Sequence, residues 1–170
     1  MENLASGIKA GAITAMLCFG LLMLSANEVY ATGNNNNRPC DRVTGGGYIY
    51  TAAGGNGTFA VNFGRNAKNE LFVQINFIDH ATGLRVKATS ISSYTQVGGD
   101  TGKRRATGLA TNQTTGVTLG YTVIVDDNGE PGNTDTFRIT LSNGYTASGT
   151  LAGGNIQLHH QCRPSGGPNR

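Results

Sequence analysis

From residue 43 onward the apolar residues recur at every second position. Phe59, Val61 and Phe63 alternate with Thr58, Ala60 and Asn62, and Tyr121, Val123 and Val125 alternate with Thr122 and Ile124. This period lays one face of a half-buried strand on a core. It predicts further strands over 43–51, 71–78, 84–94, 104–111, 136–141, 145–151 and 156–159. Asn56-Gly57, Asn128-Gly129 and Asn143-Gly144 read as turns, because Asn and Gly both tolerate positive φ. No segment beyond residue 31 sustains a helical period. The expected architecture is all-β: an antiparallel β-sandwich, with a closed β-barrel as the alternative, of eight or nine short strands.

The first 31 residues follow a different pattern. Lys9 precedes an apolar run over 10–24, and Val29-Tyr30-Ala31 supplies small side chains at the positions a signal peptidase reads. A run of about 15 residues is shorter than the roughly 20 needed to span a bilayer. The expectation is a cleaved signal peptide over 1–31, with no transmembrane segment in the exported chain. A flexible Asn-rich leader follows over 32–42, then a β-domain over 43–162 and a flexible tail over 163–170. The protein is expected to be secreted, either periplasmic or extracellular at the cell surface. Export would remove Lys9, Glu2 and Glu28, leaving 12 basic and 8 acidic residues, a net charge of +4. That mild excess does not amount to the basic face of a specific nucleic-acid binder. Cys18 leaves with the signal, and Cys40 and Cys162 are a single pair in an oxidising compartment. A disulfide between them would close a loop to which chain entropy assigns on the order of 4–5 kcal/mol as an upper bound.

Three segments carry candidate chemistry. Asp126, Asp127, Asn128, Glu130 and Asp135 gather four carboxylates and an amide oxygen around Gly129, Pro131 and Gly132. Oxygen ligands converging on a tight turn are what calcium requires, although the spacing is not that of an EF-hand. The favoured reading is a solvated hairpin tip whose acids cap backbone amides. Asp79, His80 and Gly83 read as a hairpin turn, with Asp79 accepting backbone amides and Gly83 at positive φ. The functional alternative pairs His80 with Asp79 as a base or metal ligand. Lys103, Arg104 and Arg105 form the one basic run, which could contact an anionic surface; the favoured reading is protection of a strand edge. His159 and His160 are adjacent, so on a strand they point to opposite faces.

The stretches Val43 to Ile49, Ile78 to Ile91, Val125 to Gly132, Asp135-Thr136-Phe137, Ser142 to Tyr145 and Gly153 to His159 together resemble the post-COAP domains, small secreted bacterial β-domains. The resemblance spans about Val43 to His159. It implies an extracellular β-module without an established activity.

No Gly-x-Ser-x-Gly elbow and no Ser, His and acid set at motif spacing is present. The sequence therefore points to a non-catalytic extracellular or cell-envelope β-module for binding or structural interaction, meeting an envelope polymer or a protein partner. No cofactor is expected beyond a possible calcium ion. One alternative is a small β-barrel carrying an apolar ligand against Phe59, Phe63, Phe72, Phe77, Tyr121 and Phe137. Another is a secreted enzyme whose site converges from distant strands.

Overall fold

The computed structural model describes residues 39–161. The expected signal peptide, most of the leader, Cys162 and the tail lie outside the described residues. Nine strands account for most of the rest: β1 (Pro39–Tyr50), β2 (Asn56–Arg65), β3 (Leu71–Asp79), β4 (Arg85–Gln96), β5 (Lys103–Asn112), β6 (Thr118–Asp126), β7 (Thr136–Leu141), β8 (Thr146–Thr150) and β9 (Gly153–Gln161). All pairings are antiparallel. No helix occurs among the described residues, so none there is long and apolar enough to cross a membrane. The period-two pattern thus locates every strand, and β1 begins at Pro39, inside the expected leader.

The strands form one sheet in the order β8-β7-β6-β5-β4-β3-β2-β1-β9, curled into a half-barrel. Strands β1 to β8 run as a simple meander, and β9 returns to the free side of β1. Two register shifts in β4, between Ala88 and Ser90 and between Ile91 and Ser93, are bulges of the kind that bend a strand. Curling turns the apolar face of the sheet onto itself. Phe59 of β2 and Phe137 of β7 stack at 4.1 Å, with Phe77 of β3 at 5.9 Å from Phe137. Phe63, Phe77, Phe137, Ile49, Ile75, Ile139 and Ile156 are fully buried. Removing each such side chain from water is worth about 1.5–3 kcal/mol.

Two expectations from the sequence need correction. Asn56-Gly57 is not a turn: these residues open β2, paired with Tyr50 and Ile49, and the reversal lies at 51–55, where Gly54 has φ 83°. Gly57 is required by packing, since a Cβ there would come within 3.0 Å of the Phe77 ring and 2.8 Å of Thr51 Cγ2. The basic run does not guard an edge either, because β5 is hydrogen-bonded to β4 on one side and β6 on the other.

Candidate functional site

The acidic segment joins the end of β6 to the start of β7, and it lies along the edge of β9 that β1 leaves free. There Asp135 Oδ2 accepts from the amide of Ile156 and Asp127 Oδ2 from that of Leu158, both at 2.8 Å. The second oxygens hold the loop itself, Asp135 Oδ1 accepting from Asn128 N at 2.9 Å and Asp127 Oδ1 from Gly129 N at 3.1 Å. The Glu130 carboxylate accepts from Asn155 Nδ2 at 3.1 Å and Gln157 Nε2 at 3.4 Å. Asn128 Nδ2 donates to Thr134 O. Gly132, at φ 81°, passes so close to Asn155 that a Cβ would lie 2.2 Å from its Oδ1.

Asp126 pairs with Lys103 Nζ at 2.8 Å, and its Oδ1 is buried without a hydrogen-bond partner among the described residues. Of the five residues assigned to calcium, Asp126 ends β6 and the other four lie in the loop after it, and each carboxylate meets its own donor. Among the described residues no group of three or more His, Cys, Asp or Glu side chains is placed to hold a metal ion. Chemically the loop acts as a side-chain strand, supplying acceptors to an edge that would otherwise expose unpaired N–H groups.

Strand alternation splits the basic run. Lys103 is tied to Asp126 and, at 3.5 Å, to Asp100, and these two carboxylates raise its pKa above the usual lysine value. Arg104 points inward and is 3% exposed. Its Nε bonds both Asp41 carboxylate oxygens at 2.9–3.0 Å, and its Nη1 donates to Thr101 O and Lys103 O. Tyr94 Oη donates to Asp41 Oδ1 at 2.6 Å, and burial together with that carboxylate pushes the phenol well above its ordinary value. Arg105 alone of the three is exposed.

At the opposite end of the strands, Asp79 closes the 79–84 turn. Its Oδ1 accepts from the amides of Ala81 at 2.9 Å and Thr82 at 3.4 Å, and its Oδ2 accepts from Tyr145 Oη at 2.8 Å. Burial opposes the charge, but these hydrogen bonds outweigh it and hold the carboxyl below the usual aspartate value. Gly83 has φ 73°. His80 does not bond Asp79; its Nε2 sits 3.0 Å from Thr58 Oγ1. His159 Nε2 lies 2.7 Å from Thr44 Oγ1, and burial and the nearby Arg42 lower its pKa below the ordinary histidine value. His160 instead lines an open cleft of about 530 Å³ with Cys40, Asp41, Arg65, Gln96 and Arg104.

The sequence reading missed Asp41, Tyr94 and Tyr145, which complete the networks around Arg104 and Asp79. It also missed Asn155 and Gln157 opposite Glu130. Their partners lie 25 to 66 residues away in the chain, and only strand register brings them together. No protein-family model, curated protein or solved structure matches this chain.

Proposed function

We propose that this protein is a secreted, non-catalytic β-module that meets a polymer or protein partner of a bacterial cell envelope through its exposed surface. The observation that carries this reading is how its acids and histidines are used. Asp41, Asp79, Asp126, Asp127, Glu130 and Asp135 each accept from a named scaffold donor. His80 and His159 are each hydrogen-bonded to a threonine. General acid–base catalysis needs a side chain free to reach the proton it moves, and these groups hold strands and loops in place.

The apolar-ligand alternative has less support, because the stacked Phe59, Phe137 and Phe77 rings occupy the space such a ligand would need. A barrel-like closure suits this packing better than two stacked sheets: Ala152 N donates to Tyr48 O at 2.9 Å, and the β6–β7 loop covers the edge of β9. We infer that a Cys40–Cys162 bridge ties the start of β1 to the end of its neighbour β9, since Cys40 is buried and the β1–β9 register sets Pro39 opposite Gln161. The resemblance to post-COAP domains fits an exported module.

Co-sedimentation of the purified protein with insoluble envelope polymers, with product analysis of the same samples, tests the proposal. Saturable binding without turnover is expected. Depolymerisation of the polymer, or saturable uptake of an apolar fluorophore, would overturn it.

A further inference from the structure

The outward positions of strands β5 to β8 line up across the sheet in two adjacent rows. One row is made of hydroxyls: Thr107 pairs with Thr122, Thr122 with Thr140, and Thr140 with Thr146. Ser93 of β4 extends it, its Oγ 2.7 Å from Thr107 Oγ1, and Thr140 and Thr146 hydroxyls stand 3.4 Å apart. The second row is Arg105, Ile124, Arg138 and Ser148. Arg105 and Arg138 are both exposed, and neither makes an ion pair among the described residues. One strand, β6, lies between them, so they stand two strand spacings apart, roughly 10 Å.

Shallow hollows flank the rows. One, of about 330 Å³, lies over Thr107, Thr122 and Thr140, where Gly120 contributes no side chain. The other, of about 480 Å³, is bordered by Ile124, Arg138 and Ser148.

We infer that this outer face of β4–β8 is a docking platform for an acidic polysaccharide, an inference that rests on reading the protein as a binding module. Charge complementarity points to that occupant. The acidic residues of the described chain sit at strand ends and in connections: Asp41, Glu70, Asp79, Asp100, Asp126, Asp127, Glu130 and Asp135. None lies within the two rows; the nearest, Asp126, follows Ile124 on the outward side of β6 and is neutralised by Lys103 at 2.8 Å, which leaves the charge of the two arginines uncompensated.

A guanidinium presents a planar fork that matches a sugar carboxylate bidentately. A fixed row of hydroxyls offers donors and acceptors at the spacing of the strands, matched to the hydroxyls of a sugar chain. A nucleic acid would call for aromatic rings on which bases stack, and the most exposed aromatic residue, Tyr50, is on β1 rather than on this face.

The test is binding of polygalacturonate by the purified protein, measured by calorimetry at low and physiological salt, with dextran as the neutral control. Expected are binding to polygalacturonate that weakens with salt, and little binding to dextran. The Arg105→Gln/Arg138→Gln variant should lose affinity at least tenfold at unchanged melting temperature. Thr122→Val should lose several-fold, and Lys68→Gln, which removes a charge from the β2–β3 turn, less than twofold. Equal loss in the Lys68 variant, or none in the double variant, would overturn the platform while leaving a binding module. Preference for dextran would overturn the acidic ligand but not polymer binding. Failure to bind either polymer would overturn the inference, and the envelope co-sedimentation then decides the module reading on its own.

Discussion

Asp79 and Asp135 are both almost completely buried carboxylates at the two ends of the strands, and each accepts two backbone amides. They differ in where those amides come from. Both amides on Asp79 belong to the next three residues of its own turn. One of the amides on Asp135 belongs to Ile156, 21 residues on and in another strand. A local acceptor shapes a turn that forms with it; a distant acceptor holds together two parts of the sheet that would otherwise separate. The same side chain thus serves local geometry at one end and closure of the sheet at the other.

Removing the distant acceptor should therefore have the largest effect. Asp135→Ala leaves the buried amide of Ile156 without a partner, at about 1–3 kcal/mol, and removes a further bond of about 1 kcal/mol to the amide of Asn128, an exposed loop residue. Urea unfolding should show a loss of about 3 kcal/mol, with faster hydrogen exchange at Ile156 and Leu158. Asp135→Asn keeps one carbonyl acceptor and should recover about half. Faster exchange confined to 128–135 would mean that the clip to β9 contributes little, and the contrast with Asp79 would fail.

Asp79→Ala should cost less, about 2 kcal/mol, because the freed Ala81 and Thr82 amides lie in exposed turn residues that water can reach. Tyr145→Phe removes the one long-range bond on Asp79 and should cost about 1 kcal/mol. A Tyr145 variant as damaging as Asp79→Ala would show that Asp79, too, acts mainly at a distance.

Acid sharpens the same point. The folded carboxyl of Asp79 titrates below its ordinary value of 3.8, so its ionised form contributes stability that is fully present above that pH. The contribution fades as pH falls through the lower folded value. Urea midpoints measured from pH 6 down to pH 2 should fall more steeply for the wild type than for Asp79→Asn, which has no such proton to bind. Parallel curves would remove the ionised carboxylate from the account of that turn.

The two acids also mark how far the sequence could be read. The alternation of Phe59, Val61 and Phe63 and its counterparts locates each strand, because a strand's period is written in its own residues. Asp79 and Gly83 were legible as a turn for the same reason. The caps that Asp127 and Asp135 place on Gly129 and Asn128 were legible as well, but their reach to Leu158 and Ile156 was not, since carboxylates close in sequence look alike whether they converge on an ion or extend to another strand. Lys103, Arg104 and Arg105 looked like one patch, yet alternation buries the middle member against Asp41. The Thr107, Thr122, Thr140 and Thr146 row depends on the register of three hairpins, and no single segment contains it.

The smallest effect is expected from calcium, and it bears directly on Asp135. Its two oxygens accept from the amides of Asn128 and Ile156 while the neighbouring acids turn to other donors, so among the described residues no set of three carboxylates converges on a cation without rearrangement. Melting temperatures in calcium and in chelator should agree within about 1 °C, since a ligand stabilises only through affinity for the folded form. A rise in calcium that disappears in Asp127→Asn/Glu130→Gln would mean that the loop rearranges around an ion. The Asp135 clip would then be one of two states of that loop, and the comparison with Asp79 would become one between a switchable acid and a fixed one.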